Sequence, residues 1–107
     1  MGGVGMTFAT DFRRPLVEVT EAQIIAAYPP PPEGWPASAD VALWEGLFLG
    51  LKLGEIAGAH GLSFDVIKER FLDFRHAATM GVGPLSLRAQ TVFLQEARRR
   101  AEASSPA

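Results

Sequence analysis

The chain has 107 residues, 48% of them hydrophobic, which is enough for one domain with a sizeable core. It contains no cysteine, so disulfides and cysteine-ligated metal sites are excluded. Its formal net charge of −2 at pH 7 argues against the class of strongly basic nucleic-acid binders, which depend on overall positive charge.

The first predicted helix follows an N-terminal arm, residues 1–19. The arm has no basic start followed by an apolar run, so we expect no secretory signal and a cytoplasmic protein. Thr20 and Gln23 fit a capping box, which predicts a helix start. The four prolines at 29–32 must end this helix because proline lacks the N–H that a helix needs. They are predicted to form a stiff polyproline II spacer.

Four more helices are predicted between Trp35 and the C-terminus. The second helix has Ser38 or Asp40 as its expected cap and is apolar on much of its surface, so it should lie centrally in the core. The second to fifth helices are predicted over about residues 39–49, 53–60, 63–76 and 85–103. Residues 104–107 are expected to be disordered. The predicted fold class is therefore all-α, a small bundle of about five helices in a single domain over residues 20–103.

Glycine recurs every four residues around the junction of the second and third predicted helices, at Gly46, Gly50, Gly54 and Gly58. On one long helix, this spacing would form a stripe for close helix packing or, at the extreme, part of a membrane span. Charged residues interrupt the apolar sequence, however, and each glycine would weaken a helix by about 1 kcal/mol relative to alanine. We therefore expect a break near Gly50 and two separate helices.

The segment from about Gly50 to Phe71 has the pattern of a helix-turn-helix. Ala57 supplies the small residue where two helices cross, and Gly61 tolerates the positive φ that the turn requires. Leu62 is expected to fill the turn, and Ser63 is expected to cap the next helix through its side-chain oxygen. Four apolar residues that follow at helical spacing, and so are predicted to face the core, are Phe64, Ile67, Phe71 and Phe74.

This segment also resembles a known class of DNA-binding module. The pattern E-I-A-x-x-x-G-L-S-x-x-x-[VI]-K, which runs here from Glu55 to Lys68, is similar to the helix-turn-helix of response-regulator effector domains and of sigma-factor region four. The resemblance is local, covering about residues 50–71. In those families the second helix enters the major groove, and its first two turns contact bases or phosphates. Carried over, the resemblance implies that the DNA-facing residues are Ser63, Phe64, Asp65, Lys68 and Glu69.

Charge is distributed unevenly along the chain and is mixed on the predicted recognition helix. Residues 1–60 carry three bases and seven acids, whereas residues 61–107 carry seven bases and five acids, so a polyanion is expected to contact the C-terminal half. The predicted recognition helix, residues 63–76, has three acids and three bases, which are Asp65, Glu69, Asp73, Lys68, Arg70 and Arg75. The acids oppose the electrostatic attraction to phosphate. Arg98–Arg100 either bind phosphates or complement the dipole of the last helix.

Three hypotheses about function follow. The leading one is a small DNA-binding protein, a transcription regulator or phage-derived factor, that docks the 63–76 helix in a groove as a homodimer. In it Lys68, Arg70 and Arg75 contact phosphates and Ser63 positions the helix start. The second is a DNA-packaging subunit similar to phage small terminases, forming a ring through residues 85–103. The third is a protein-interaction module whose acidic face binds a basic partner without DNA.

An enzymatic function is not expected. The two histidines, His60 and His76, are not accompanied by a dense cluster of aspartate and glutamate residues, which would favour a metal site. Neither has an obvious partner for nucleophilic catalysis, and the phosphate-loop motif is absent. The sequence therefore predicts no catalytic residue, no metal site and no cofactor.

Overall fold

The computed structural model describes residues 19–104, and this part of the chain contains five α-helices and no strand. The helices are α1 (Glu21–Ala26), α2 (Ala37–Phe48), α3 (Leu53–Ala59), α4 (Phe64–Gly81) and α5 (Leu87–Ser104). The predicted fold class, a small all-α bundle of about five helices, is confirmed. The predicted arm lies outside the described residues except for Val19, and the predicted tail lies outside them from residue 105.

Helix α1 begins with the predicted capping box. The Thr20 hydroxyl accepts a hydrogen bond from the Gln23 backbone N–H at 3.1 Å, and the Gln23 side chain accepts one from the Thr20 N–H at 2.8 Å. These bonds occupy donors that a helix start otherwise leaves without a partner. The helix ends at Ala26, before the proline run, so the chain from Tyr28 onward is free to cross the bundle.

The cap predicted for α2 is wrong. The helix begins at Ala37 with Pro36 in the N-cap position, and both Ser38 and Asp40 lie inside it. Asp40 is only 2% exposed, since its carboxylate points inward and binds groups from other elements. A carboxylate that is needed in the core cannot also cap the helix start.

The predicted break between α2 and α3 is confirmed. Helix α2 ends at Phe48, and Gly50 has a φ of +84°, which most residues with a side chain avoid. The stripe of glycines is therefore divided between two helices. Gly46 lies on α2 at the point where α3 approaches, and its position faces the Ile56 side chain. None of the helices in residues 19–104 is both long and apolar enough to span a membrane.

The core is built around aromatic rings that join four parts of the chain. Trp44 of α2, Phe74 of α4 and Phe93 of α5 are fully buried, with ring centroids 5.1–6.0 Å apart. Tyr28 meets the rings of Phe74 and Phe93 edge-on at 5.0 and 5.8 Å. Such pairs contribute about 0.5–1.5 kcal/mol each beyond the burial of their area. The cluster fixes α2, α4 and α5 around the segment that follows α1.

Helices α3 and α4 are joined by the four residues 60–63. Gly61 has the predicted positive φ, +66°, and the Leu62 N–H donates to the Ala57 carbonyl at 2.9 Å, which closes the end of α3. Ala57 is buried, and Leu62 packs against the core. Ser63 occupies the N-cap position of α4, but its side chain makes no capping hydrogen bond.

Helix α4 differs from its prediction at both ends. Phe64, expected in the core, is 49% exposed. It lies in the first turn of α4, with its ring beside Gly54 of α3. Ile67 and Phe74 are buried as predicted. The helix continues to Gly81, past the predicted end at residue 76, so His76 lies within it and not at its C-terminus.

Candidate nucleic-acid interface

Helix α4 has one buried side and one exposed side. The side chains that it buries are Ile67, Arg70, Phe74 and Ala78, at intervals of three or four residues. Of the predicted DNA-facing residues, those that lie on the exposed side or at the exposed start of the helix are Ser63, Phe64, Asp65, Lys68, Glu69 and Arg75. The geometry therefore leaves these residues accessible to a partner.

The predicted phosphate contact of Arg70 is wrong. Arg70 is 1% exposed, and its guanidinium donates to both oxygens of Asp40 at 2.8 Å. Nη2, which makes one of these two bonds, also donates to the Pro29 carbonyl at 3.1 Å, and Nη1 donates to the Pro30 carbonyl at 3.0 Å. A phosphate cannot reach a guanidinium whose donors are already occupied inside the core. One of the three bases expected at the DNA is therefore a structural residue.

Asp40 is the centre of this buried network. Besides the two bonds from Arg70, its carboxylate accepts hydrogen bonds from the Tyr28 hydroxyl at 2.7 Å and from the Trp35 indole N–H at 2.8 Å. The Arg70 guanidinium also stacks over the Phe74 ring, 4.5 Å from its centroid. Burial, and then the bond to Asp40, raises the pKa of Tyr28. The network ties the proline run to α2 and α4.

The remaining charges of α4 are separated around its axis. Lys68 and Arg75 are seven residues apart and so lie about 20° apart, on one edge of the helix. Glu69 and Asp73 are four residues apart and lie about 130° away from that pair, on average. Their side chains line a cavity of about 410 Å³ beside the loop that carries Glu33. A basic edge and an acidic edge therefore face different directions.

At Arg75 the basic edge borders a depression whose walls are partly apolar and partly polar. Arg75 borders a cavity of about 560 Å³ whose walls include Leu47, Phe71 and Leu85. No ion-pair partner of Lys68 or Arg75 occurs within residues 19–104. Asp65, in the first turn, lies between the two edges. Lys68 and Arg75 are thus exposed to solvent and accessible to an external anion.

The three arginines at the end of α5 each form an ion pair with an acid of the same chain. Arg98 donates to Glu45 of α2 at 2.9 Å. Arg99 and Arg100 both bind the buried carboxylate of Glu96, at 2.6 and 2.8 Å. The two hypotheses for this run, phosphate binding and complementing the helix dipole, both omitted these partners. Glu45 is 53 residues from Arg98 in the sequence, but Glu96 lies three and four residues before Arg99 and Arg100, a helical spacing that could have indicated both pairs.

Acidification is expected to destabilise the fold through Glu96. The hydrogen bonds from Arg99, with those from Arg100, outweigh burial and lower the pKa of Glu96 from 4.5 to about 2. A carboxyl group whose pKa is lowered by folding stabilises the fold above its unfolded pKa, and this contribution is lost as the pH falls through the folded value. The free energy of unfolding, measured by urea denaturation, should therefore fall between about pH 4.5 and 2.

The variants Glu96→Gln and Glu102→Gln test the origin of this pH dependence. Glu102 lies on the same helix but is exposed. Glu96→Gln should flatten the dependence, and Glu102→Gln should leave it as in the wild type. An equal slope in the Glu96→Gln variant would show that the acid sensitivity comes from another group.

Neither histidine is part of a cluster. His60 is exposed at the end of α3, and His76 is exposed on α4. Among residues 19–104 no three histidine, aspartate or glutamate side chains are grouped so that they could hold a metal ion. The exposed part of α4 therefore offers charge and shape to a partner.

Comparison of the chain with protein-family models, with curated proteins and with solved structures finds no match.

Proposed function

We propose that this protein binds DNA through the helix-turn-helix formed by α3 and α4, as a small transcription regulator or phage-derived factor. The observation that carries the proposal is the arrangement itself. Two helices are joined by four residues with a positive φ at Gly61, and the first two turns of the second helix are open to solvent. This is the arrangement by which such modules present a recognition helix to the major groove.

The start of α4 is suited to a phosphate. The Ser63 side chain makes no capping bond, so the first backbone N–H groups of an 18-residue helix remain available as donors. Lys68 lies one turn further along, and Arg75 two turns beyond it on the same edge. We expect DNA to approach α4 from this basic edge, since the acids at Glu69 and Asp73 face the other way.

The small number of exposed cations on α4 leads us to expect that the protein binds DNA as a dimer. One copy supplies Lys68, Arg75 and the helix start, which is few contacts for stable binding at physiological salt. A homodimer would double them and would match a two-fold symmetric DNA site. We therefore expect two copies on each duplex, which sedimentation of the protein–DNA mixture can measure.

The variant Lys68→Ala/Arg75→Ala tests the proposed contacts. Loss of two cations should weaken binding to a short fluorescent duplex about tenfold or more at low salt, measured by fluorescence anisotropy. Both side chains are exposed, so the thermal stability should stay close to that of the wild type. Arg88→Ala is the matched control, because Arg88 is an exposed base on α5. Equal losses in the two variants would refute docking through α4.

A protein-interaction module is the second candidate, and one observation favours it. Glu33 of the loop borders the same cavity as Glu69 and Asp73, so three acids from two elements line one depression. Only Asp73 among them has a cation nearby in the described residues, the buried Arg70 at 3.9 Å. The Glu69→Gln variant separates the candidates, because it removes a negative charge from α4. DNA binding should become tighter, whereas binding of a basic peptide should become weaker.

A further inference from the structure

A third cavity, separate from the exposed side of α4, lies between the proline run and the C-terminal turns of α5. Its volume is about 480 Å³, within the range of small-molecule sites. The segment after α1 contributes Tyr28, Pro31 and Trp35 to its walls, and α5 contributes Arg99 and Arg100. It therefore combines aromatic surface with two guanidinium groups.

The two guanidinium groups are held in place by the protein. Glu96 is 3% exposed and accepts hydrogen bonds from Nε and Nη2 of Arg99 and from Nε of Arg100. The Arg100 guanidinium also stacks over the Tyr28 ring, 3.9 Å from its centroid. Nη1 of Arg99 and both Nη atoms of Arg100 make no hydrogen bond within residues 19–104. Two cations share one carboxylate, so the group carries an excess charge of +1.

The aromatic walls are held in place as well. The Tyr28 hydroxyl and the Trp35 indole N–H both donate to Asp40, whose own charge is matched by the buried Arg70. The rings therefore keep their orientation without a ligand. A site whose side chains are already fixed loses less conformational entropy on binding. The uncompensated charge that faces the cavity is the positive charge of the arginine pair.

We propose that this cavity binds a mononucleotide, with its phosphate at Arg99 and Arg100 and its planar base against Trp35. Guanidinium groups match phosphate geometry, and an indole face stacks on a planar ring. The last residues of α5, Ala103 and Ser104, also border the cavity. Because the carboxyl end of a helix carries partial negative charge, the phosphate should contact the arginines and not this rim. This site is independent of the proposed DNA interface.

Calorimetric titration of the full chain with AMP tests the proposal, with adenosine and inorganic phosphate as separate arms. AMP should bind saturably and more tightly than either part alone. Arg99→Ala should weaken AMP binding about fivefold to tenfold, through the loss of a charge-assisted contact. The Arg99 side chain is 67% exposed, so this variant should fold. Arg98→Ala is the matched control, since Arg98 is the neighbouring base and pairs with Glu45.

Three results with the wild-type chain and the single arginine variants would overturn the proposal. They are no saturable binding of AMP, inorganic phosphate binding as tightly as AMP, and equal losses in the Arg98→Ala and Arg99→Ala variants. The Lys68→Ala/Arg75→Ala variant should bind AMP as the wild type does. A loss of AMP binding in that variant would place the nucleotide on α4 and would also count against this cavity.

Discussion

Asp40→Ala is expected to lower the free energy of unfolding by about 3–5 kcal/mol, the largest effect of any substitution considered for this chain. The variant would leave the Arg70 guanidinium buried without its counter-ion. It would also remove the acceptor of the Tyr28 hydroxyl and of the Trp35 indole N–H. Each buried donor left without a partner adds its own cost of desolvation. Urea denaturation followed by circular dichroism measures the change.

Glu45→Ala is the matched control for Asp40→Ala. Both residues are acids on α2 that pair with an arginine from a later helix. The Glu45 pair is about half exposed on both sides, so removing it should change the free energy of unfolding by less than about 1 kcal/mol. A similar small change in Asp40→Ala would mean that the buried network does not hold the proline run and α4 together.

Gly46→Ala is expected to cost about 1–3 kcal/mol, through overpacking where α3 meets α2. A Cβ atom at Gly46 would lie 2.5 Å from Cγ1 and 2.6 Å from Cδ1 of Ile56. Ile56 is 1% exposed, so its side chain has little free space in which to move aside. Since α3 positions the start of α4, the variant should also weaken DNA binding. Denaturation and anisotropy on the same preparation measure both effects.

Gly58→Ala provides the contrast for Gly46→Ala. Gly58 lies inside α3, and a Cβ atom there would meet no atom within 4 Å. Alanine should stabilise the helix by about 0.5–1 kcal/mol, because glycine loses more backbone entropy on folding. If both glycines tolerated alanine equally, the close approach of α2 and α3 would be wrong.

Most features that depend on neighbouring residues were predicted well, although the cap of α2 and the capping bond of the Ser63 side chain were not. The capping box at Thr20, the positive φ at Gly61 and the break at Gly50 each follow from the chemistry of a few adjacent residues. The burial of Ile67 and Phe74 follows from helical spacing. These signals were enough to predict five helices.

Features that depend on distant residues were not predicted. Arg70 and Asp40 are 30 residues apart, and nothing beside either residue distinguishes a buried ion pair from a helix cap or a surface base. The carbonyls of Pro29 and Pro30 become acceptors only because the chain crosses α4 there. One sequence signal was available: a proline run offers carbonyl groups without N–H donors, so it needs donors from elsewhere.

The most direct test of the central claim is the affinity of the wild-type chain for a short DNA duplex between about 50 and 200 mM salt. If Lys68 and Arg75 contact phosphates, the affinity should fall steadily with salt. A plot of log affinity against log salt should have a slope of about −2 for each bound copy. Binding that does not change with salt, or no binding at the lowest salt, would contradict docking of α4 on DNA.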